Sequence, residues 1–306
     1  MMKALVPDGL GSVRMDVVAE PTPAADGAVV AVAAFSVNRG ETFLLEDPPD
    51  PAWRPGKDVA GVVVAPAADG TGPGVGRRVV GHPPQGGWAE RVAVPTSLLA
   101  VVPEHVDLET AAALPLAGLT ALRLLRTAGS LIGQRLLVTG ASGGVGHYLT
   151  ELAVSSGADV TAVSASPRRG RTLVALGASV VHDVDDAEGR YDVVFESVGG
   201  ASFTTARRKA KRTGQVVWFG QAGRQPAPLD FFDWIDGTAG APITPFHYVH
   251  SDRPDAEDLR TLVRLVAEDR LHPEIGVRRP WQDTGAVIQE LRERTLRGNA
   301  VLAITD

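Results

Sequence analysis

The sequence contains no cysteine, which excludes disulfide bonds, thiolate nucleophiles and every metal site that needs a cysteine ligand. The first residues, "MMKALVPDGLGSV", contain no apolar h-region, and no apolar run approaches the roughly 18 residues that cross a bilayer. The chain also has no excess of basic residues, because its 30 Lys and Arg residues are outnumbered by 36 Asp and Glu residues. We therefore expect a cytoplasmic protein that binds neither membrane nor nucleic acid.

The length of 306 residues allows two domains, and the patterning changes along the chain. Short Val and Ala runs broken by Gly and Pro fill residues 1 to 112, which favours an antiparallel β domain. From Asp107, a plausible N-cap, helix formers follow, and then apolar strands alternate with helices, which indicates a parallel sheet covered by helices on both faces. We predict an α/β protein with one domain at 1–112 plus 250–306 and the other at 113–249.

Several elements of this pattern are specific enough to test. Helices are expected at 147–156, 168–176 and 255–271, the last with Leu259, Leu262, Val263 and Val266 on one face. The basic run Arg207, Arg208, Lys209, Lys211 and Arg212 is interpreted as the solvated face of a helix.

A glycine-rich loop follows the strand "RLLVT" and opens directly into a helix. Small residues there let the main chain approach a pyrophosphate, whose charge is stabilised by the N–H groups at the helix N-terminus. The loop predicts a dinucleotide cofactor, with contacts from Gly140, Ser142, Gly143, Gly144, Val145 and Gly146.

Two architectures use such a loop, and the surrounding residues separate them. In short-chain dehydrogenases the loop lies near the N-terminus and a Tyr-x-x-x-Lys pair follows, whereas here some 135 residues precede it. The positions four residues after the three tyrosines, Tyr148, Tyr191 and Tyr248, are occupied by Leu152, Phe195 and Asp252. The short-chain interpretation is therefore rejected.

The whole chain resembles the zinc-independent medium-chain dehydrogenases/reductases of the quinone oxidoreductase and enoyl reductase branch. The motifs, in family order, are "VNRGE", "PGKDVAG", "GRRVVG", "GGWAE", "AAALPLAGLTA", the loop at 139–146, "ESVGG" and "GNAVL". The resemblance implies a GroES-like antiparallel β catalytic domain and a doubly wound, parallel-sheet Rossmann domain that binds the cofactor.

Residues at the end of the second Rossmann strand usually determine whether the domain binds NADH or NADPH. It offers Ser164, Ser166, Arg168 and Arg169 and no carboxylate, which favours the 2′-phosphate of NADPH over the 2′-hydroxyl of NADH. The alternative is that these arginines only solvate the start of a helix. The resemblance further implies cofactor contacts at Arg39, Thr120, Ser197, Val198, Phe219, Gly220, Phe246 and Asn299.

The resemblance places Asn38, Lys57 and Leu116 where zinc alcohol dehydrogenases hold their catalytic metal, so we expect no metal. Gly40 replaces their proton-relaying hydroxyl. His247 and His250 form a close pair without a third ligand and are assigned to packing or pocket lining. Five aromatic residues are assigned to core packing or to a pocket: Phe43, Trp53, Trp88, Trp234 and Phe246.

The candidate catalytic residues are Asn38, Phe43 and Thr120. Asn38 is interpreted either as a hydrogen-bonding partner of a substrate or ribose oxygen or as the side chain of a loop-stabilising Asx turn. Phe43 stands where related reductases carry a tyrosine, which leaves the proton donor unassigned, and Thr120 matches a position near the nicotinamide.

These features favour an NADPH-dependent reductase of an enone, enoyl thioester or quinone, acting on a small molecule. The alternatives are an NADPH-binding sensor or structural protein and a biosynthetic reductase of a polyketide-like substrate. A homodimer through the edge strand in "GAPITPFHYV" is expected, although its prolines lack the N–H groups that strand pairing uses.

Overall fold

The structure is a computed structural model that describes residues 1–235, 237 and 239–305; residue 306, the last of the expected catalytic domain, lies outside them. The chain divides into a first unit, Met1–Leu119 with Asp252–Asp306, and a second unit, Thr120–Ser251. The boundary between the two units at Leu119 and Thr120 falls inside one helix, Pro115–Ala128, rather than at residue 112. Its first turn is tied to the first unit, because the Leu116 N–H donates to Asp58 over 2.9 Å.

The strands, in chain order, are β1 (Met2–Pro7), β2 (Val13–Val18), β3 (Gly27–Val37), β4 (Val59–Ala65), β5 (Arg78–Gly81), β6 (Arg91–Pro95), β7 (Leu99–Val101), β8 (Arg135–Val138), β9 (Asp159–Val163), β10 (Ser179–Val181), β11 (Tyr191–Glu196), β12 (Ala210–Trp218), β13 (Ile243–Pro245), β14 (Ile275–Pro280) and β15 (Asn299–Ala303). The helices are α1 (Arg39–Leu44), α2 (Leu108–Ala112), α3 (Pro115–Ala128), α4 (Gly144–Ser155), α5 (Pro167–Ala175), α6 (Gly200–Arg208), α7 (Phe232–Ile235), α8 (Asp255–Ala267) and α9 (Thr284–Arg292). In the part of the chain that the structure describes, no helix is both long and apolar enough to cross a membrane.

The first unit is built around the long strand β3, which pairs antiparallel with β4, β6 and β15. Its sheet follows the order β14-β15-β3-β4-β5-β7, and β14 pairs with β15 in parallel, the exception to the antiparallel expectation among the described strands. The core of this unit includes Val30, Phe35 and Leu302 from the strands, with Trp88 from the segment between β5 and β6 and Trp281 from the turn after β14. The rings of Phe35 and Trp88 stack at 5.5 Å, so Trp88 is a core residue.

The second unit is a parallel sheet in the order β10-β9-β8-β11-β12-β13. The chain winds outward in one direction from β8 to β10, then returns to the other side of β8 at β11. This reversal creates a switch point between β8 and β11, where open α/β sheets bind their ligands at the carboxyl ends of the strands. The doubly wound arrangement agrees with the fold expected from the sequence.

Helix boundaries follow local signals. α5 begins at Pro167 because Ser166 caps it and accepts a hydrogen bond from the Arg169 N–H at 3.4 Å. α8 buries Leu259, Leu262 and Val263, as the periodicity predicts. It ends at Ala267 rather than at 271, because Asp269 takes a left-handed conformation with φ of 56°.

The interpretation of the basic run as one solvated helix face is wrong. α6 ends at Arg208 and β12 begins at Ala210, so the run crosses from a helix into a strand. Arg207 is 1% exposed, forms an ion pair with Asp233 and lies over the ring of Trp234, with 5.0 Å between its Cζ and the ring centroid. The run therefore contributes a buried cation to the second unit.

Candidate active site

The glycine loop lies at the switch point, between the end of β8 and the first turn of α4. Gly140 has a φ of 62°, a conformation that glycine adopts without strain. A Cβ on Gly146 would lie 2.6 Å from the Gly140 carbonyl oxygen and the Ala141 Cα, which only glycine avoids. Ser142 is buried, while Gly143, Gly144 and Val145 are half-buried at the helix N-terminus. The loop thus presents main chain, with little side chain, to an anion.

A buried carboxylate joins this loop to the end of β11. Glu196 has no exposed surface and accepts hydrogen bonds from the Thr139 hydroxyl (3.2 Å), the Ser202 hydroxyl (3.0 Å) and the Val198 and Gly199 N–H groups (3.0 and 3.1 Å). Burial raises the pKa of Glu196, against the effect of these hydrogen bonds. The two strand ends that flank the switch point are therefore fixed to each other.

Ser197 extends the same junction. Its N–H donates to the Thr139 hydroxyl at 3.0 Å, and its own hydroxyl donates to the Thr139 carbonyl at 3.1 Å. A Cβ on Gly140 would lie 2.7 Å from the Ser197 Oγ, so the loop and the β11 end are in close contact. The structure brings Ser197 and Val198 together with the glycine loop, and their contact with a cofactor stays a prediction.

Three further predicted residues, Phe219, Gly220 and Phe246, lie along the carboxyl edge of the sheet. Phe219, after β12, donates its N–H to the Glu196 carbonyl at 2.9 Å, and Phe246, after β13, donates its N–H to the Trp218 carbonyl at 2.8 Å. Gly220 follows Phe219, and a Cβ there would lie 3.0 Å from the Ser197 carbonyl oxygen. The rings of Phe219 and Phe246 are half-buried.

The end of β9 carries the residues predicted to choose the cofactor. Ser164 is 1% exposed, so its hydroxyl lies beneath the start of α5 and is the weakest of the four candidates. Ser166 and Arg169 are half-buried and Arg168 is exposed. No carboxylate stands between Ser164 and Arg169. Hydroxyl and guanidinium groups at this place suit a phosphate, and the segment lacks the carboxylate that would accept hydrogen bonds from a pair of ribose hydroxyls.

The first unit contains a second buried carboxylate, Asp58, with no exposed surface. It accepts hydrogen bonds from the Ser36 hydroxyl (2.6 Å), the Asn38 side-chain amide (2.7 Å), the Leu116 N–H (2.9 Å) and the His82 Nδ1 (3.1 Å). Two of the positions that correspond to zinc ligands, Asn38 and Leu116, therefore meet at Asp58, and the third, Lys57, precedes it in the chain. We call these five groups (Ser36, Asn38, Asp58, His82 and the Leu116 N–H) the Asp58 cluster.

The contacts of Asn38 limit its chemistry. A carboxylate only accepts hydrogen bonds, so the amide atom facing Asp58 is the Nδ2 donor. Asn38 is also the N-cap residue of α1, and its main-chain N–H donates to Glu41 at 3.1 Å. Its donor group is thus committed within the first unit.

Glu41 lies next to this cluster and is 2% exposed. Besides Asn38, it accepts from the N–H groups of Gly56 (2.9 Å) and Lys57 (3.0 Å). Burial, reinforced by the negative charge of Asp58, raises its pKa to about 7. Glu41 therefore holds the loop before Asp58 against α1 and titrates near neutrality.

The other predicted site residues are divided between the units. Arg39, Gly40 and Phe43 lie on α1 in the first unit, and Phe43 is half-buried there. Asn299 also belongs to the first unit, where its side-chain amide donates to the Glu274 carbonyl at 3.2 Å. Thr120, 7% exposed on α3, is the first residue of the second unit.

Other residues singled out from the sequence have local roles. Trp53 and Trp88 are part of the first unit's core. The His247 and His250 rings contact each other at 5.3 Å. Within residues 1–235, 237 and 239–305, no three or more His, Cys, Asp or Glu side chains are grouped as metal ligands would be.

Sequence analysis missed Ser36, Glu41, Asp58, His82, Thr139 and Glu196. The available signal was a polar residue beside an apolar strand in "FSVN", "KDVAG", "VVGH" and "VVFES". Such residues are rarely fully buried unless they are paired.

Comparison with known proteins places these features in a family. The family model described as zinc-binding dehydrogenase matches residues 144–268, a range that excludes the positions corresponding to zinc ligands. The chloroplast envelope quinone oxidoreductase homolog of Arabidopsis thaliana is 31% identical over 247 residues, 74% of this chain and 72% of that protein. The chloroplastic NADPH-dependent alkenal/one oxidoreductase of Arabidopsis thaliana is 35% identical over 214 residues, 63% of this chain and 54% of that protein.

Two further curated relatives are matched over 65% and 56% of their length, so the chain spans less than two thirds of each. Among solved structures, a mycobacterial protein in complex with NADPH is 26% identical, with a TM-score of 0.89 over 99% of this chain and 100% of that one. The chain belongs to the medium-chain dehydrogenase/reductase family, in its quinone oxidoreductase-like branch.

Proposed function

We propose that the protein is an NADPH-dependent oxidoreductase that reduces a quinone or an activated C=C bond such as that of an enone. The observation that carries the proposal is the glycine loop at the switch point of the second unit, followed by a β9 end that holds Ser166, Arg168 and Arg169 and no carboxylate. The printed names of the relatives, a quinone oxidoreductase homolog and an alkenal/one oxidoreductase, support the two substrate classes.

The residues present fit the cofactor. The Gly146 position has no room for a Cβ, and the N–H groups at the start of α4 stabilise a pyrophosphate. Ser166, Arg168 and Arg169 hold the 2′-phosphate, and Ser197, Val198, Phe219 and Gly220 border the remainder of the cofactor. When bound, NADPH supplies a hydride to the substrate.

The reaction needs no metal from this chain. Conjugation already polarises the accepting carbon, so the protein's task is to orient the substrate and to stabilise the oxyanion that develops. Asn38, Lys57 and Leu116 do not provide the set of histidine and cysteine ligands that a catalytic zinc requires. We assign substrate and proton chemistry to the first unit and cofactor binding to the second.

Cofactor choice is tested by titrating the protein with NADPH and NADH while tryptophan fluorescence is recorded. We expect NADPH to bind at least about tenfold more tightly, which is about 1.4 kcal/mol, and Arg169→Ala to remove most of that preference. Arg171→Ala, an exposed arginine of the same helix, is the matched control and should retain the preference. Equal binding of the two cofactors by the unmodified protein would contradict the assignment.

Substrate class is tested by following NADPH absorbance with a panel of quinones, enones and enoyl thioesters. Turnover with at least one class is expected. NADPH binding without oxidation by any acceptor would favour the non-catalytic alternative instead.

A cytoplasmic homodimer is part of the same proposal. β13 is the edge strand of the second unit's sheet and is three residues long, with Pro245 at its end. Because proline lacks an N–H, pairing with a second copy would use few main-chain hydrogen bonds. Light scattering that returns the mass of a monomer would contradict the dimer.

A further inference from the structure

We propose that His182 is a further residue that selects NADPH, and that its ring contacts the 2′-phosphate beside Ser166 and Arg169. The inference rests on the proposed function, because it adds a contact to the NADPH site assigned there. His182 follows β10 directly and is exposed, and it lies outside the segment 164–169 that contains the other candidates.

The first argument is the direction of the His182 ring. Its Nδ1 lies 2.9 Å from the carbonyl oxygen of Ser164, the residue that follows β9. A carbonyl oxygen only accepts hydrogen bonds, so Nδ1 carries a hydrogen and donates it. The ring is therefore turned toward the end of β9, and Nε2 is the nitrogen that remains for a ligand. Among the residues that the structure describes, none forms a hydrogen bond or an ion pair with that nitrogen.

The second argument is the place of β10 in the sheet. β10 pairs in parallel with β9, with Val181 opposite Val163, so His182 and Ser164 end the two strands at the same level. The strand order β10-β9-β8 puts the glycine loop on one side of the β9 end and His182 on the other, one strand spacing of about 4.8 Å away. A cofactor with its pyrophosphate at the glycine loop and its adenosine ribose at the β9 end therefore runs along the sheet edge toward β10.

The third argument is the charge around this place. Arg168 and Arg169 lie in the first turn of α5, where cations are unfavourable unless an anion compensates them. Asp183 is the carboxylate next to His182 in the chain, and it accepts from the Asp185 N–H at 2.9 Å, so it is part of the turn after β10. A ring nitrogen beside two guanidinium groups suits a phosphate better than it suits another cation.

The contact needs one proton, which lies between the ring and the phosphate. Either a protonated ring donates its Nε2–H to a dianionic phosphate, or a neutral Nε2 accepts the hydrogen of a monoanionic phosphate. The second proton of a phosphate monoester dissociates near pH 6, so solvent supplies that proton near neutrality. The ribose 2′-hydroxyl of NADH makes only a neutral hydrogen bond to Nε2, and a charge-assisted bond is about twice as strong. The ring therefore favours NADPH over NADH.

The test compares His182→Asn with His182→Gln, because each variant keeps one half of the imidazole. Asparagine places its amide near the position of Nδ1 and retains a donor for the Ser164 carbonyl, whereas glutamine places its amide near Nε2 and retains a donor for the phosphate. We expect the Kd for NADPH to rise at least about threefold in His182→Asn while the Kd for NADH changes less than about twofold. His182→Gln should recover part of the lost NADPH affinity. Ser179→Ala, an exposed residue at the other end of β10, is the control and should bind both cofactors like the unmodified protein.

Adenosine 2′,5′-bisphosphate and AMP repeat the comparison without the nicotinamide, and so without hydride transfer. His182→Asn should weaken binding of the bisphosphate and leave binding of AMP unchanged. An equal loss for both nucleotides, or no loss for the bisphosphate, overturns the inference. If the unmodified protein binds NADPH no more tightly than NADH, the cofactor assignment of the proposed function fails. A preference that is present in the unmodified protein and intact in His182→Asn overturns this inference alone.

Phosphorus-31 spectra of bound NADP+ locate the contact without relying on affinity. The 2′-phosphate resonance should differ in chemical shift between the unmodified protein and His182→Asn, and the pyrophosphate resonances should coincide. A 2′-phosphate resonance at the same chemical shift in both proteins overturns the proposal, because a phosphate that loses a ring contact changes its surroundings.

Discussion

Replacing Glu41 by glutamine should remove a pH dependence of stability that the unmodified protein shows near neutrality. The carboxylate is 2% exposed and accepts N–H groups from Asn38, Gly56 and Lys57. Glutamine keeps an acceptor oxygen for Gly56 and Lys57 but carries no charge. The substitution therefore isolates the effect of ionising this buried group.

The sign and size follow from the pKa. In the unfolded chain Glu41 titrates near 4.5, and in the folded chain burial raises the pKa to about 7. The folded state thus holds the proton over a range where the unfolded state has lost it, so stability declines as pH rises from 4.5 to 7. The difference amounts to about 3 kcal/mol, since one pKa unit is worth about 1.4 kcal/mol.

The assay is urea unfolding at pH 5, 6, 7 and 8, followed by tryptophan fluorescence. Trp53, Trp88 and Trp281 lie in the core of the unit that contains Glu41, so the signal reports on the correct part of the molecule. Other groups titrate in the same range, and the informative quantity is the difference between the unmodified protein and Glu41→Gln at each pH. Glu104→Gln, whose side chain is 91% exposed, is the control.

Glu41→Gln should gain about 2 to 3 kcal/mol relative to the unmodified protein between pH 5 and pH 8. Glu104→Gln should show no such gain. If the stability difference for Glu41→Gln is the same at all four pH values, the carboxylate keeps its ordinary pKa in the folded protein, and the reasoning from its burial fails.

Three further predictions test the second unit. Gly146→Ala should lower the free energy of unfolding by about 1 to 3 kcal/mol and weaken NADPH binding at least tenfold, because the added Cβ would overlap main-chain atoms. Gly74→Ala is the control, because the space around its added Cβ is open, and it should change neither quantity in urea unfolding and NADPH titration. Ser166→Ala should lower stability by about 1 kcal/mol through loss of the α5 cap, measured by urea unfolding, and an unchanged midpoint would contradict the cap. Arg207→Met should lower the melting temperature more than Arg208→Met, because Arg207 is buried with Asp233 while Arg208 is 51% exposed; equal effects would contradict this role for Arg207.

The doubly wound sheet and the glycine loop are predictable from the sequence because their signals are local. A buried strand, three glycines and a helix start stand within a few residues of one another, and the serine and arginines at the end of β9 follow in the same short segment. The right-handed connections of a parallel sheet then restrict the possible orders of the strands.

The Asp58 cluster was not predictable in the same way. Ser36, Asp58, His82 and Leu116 are distant in sequence and meet only because β3, β4, β5 and the start of α3 pack together. The interpretation of the basic run as one helix face was wrong for a related reason, because composition does not show that α6 ends at Arg208 and that β12 begins at Ala210. Both cases depend on tertiary contacts that override local preference.

Both units use one physical device at their candidate sites. In the first, Asp58 accepts hydrogen bonds from side chains and main chain of segments distant from it in sequence, and in the second Glu196 does the same for the glycine-loop threonine and the turn after β11. A buried carboxylate satisfied by several donors fixes each donor's direction, because a buried polar group that loses its partner is costly. In each unit, one buried carboxylate therefore fixes the main chain and the polar side chains around the candidate site.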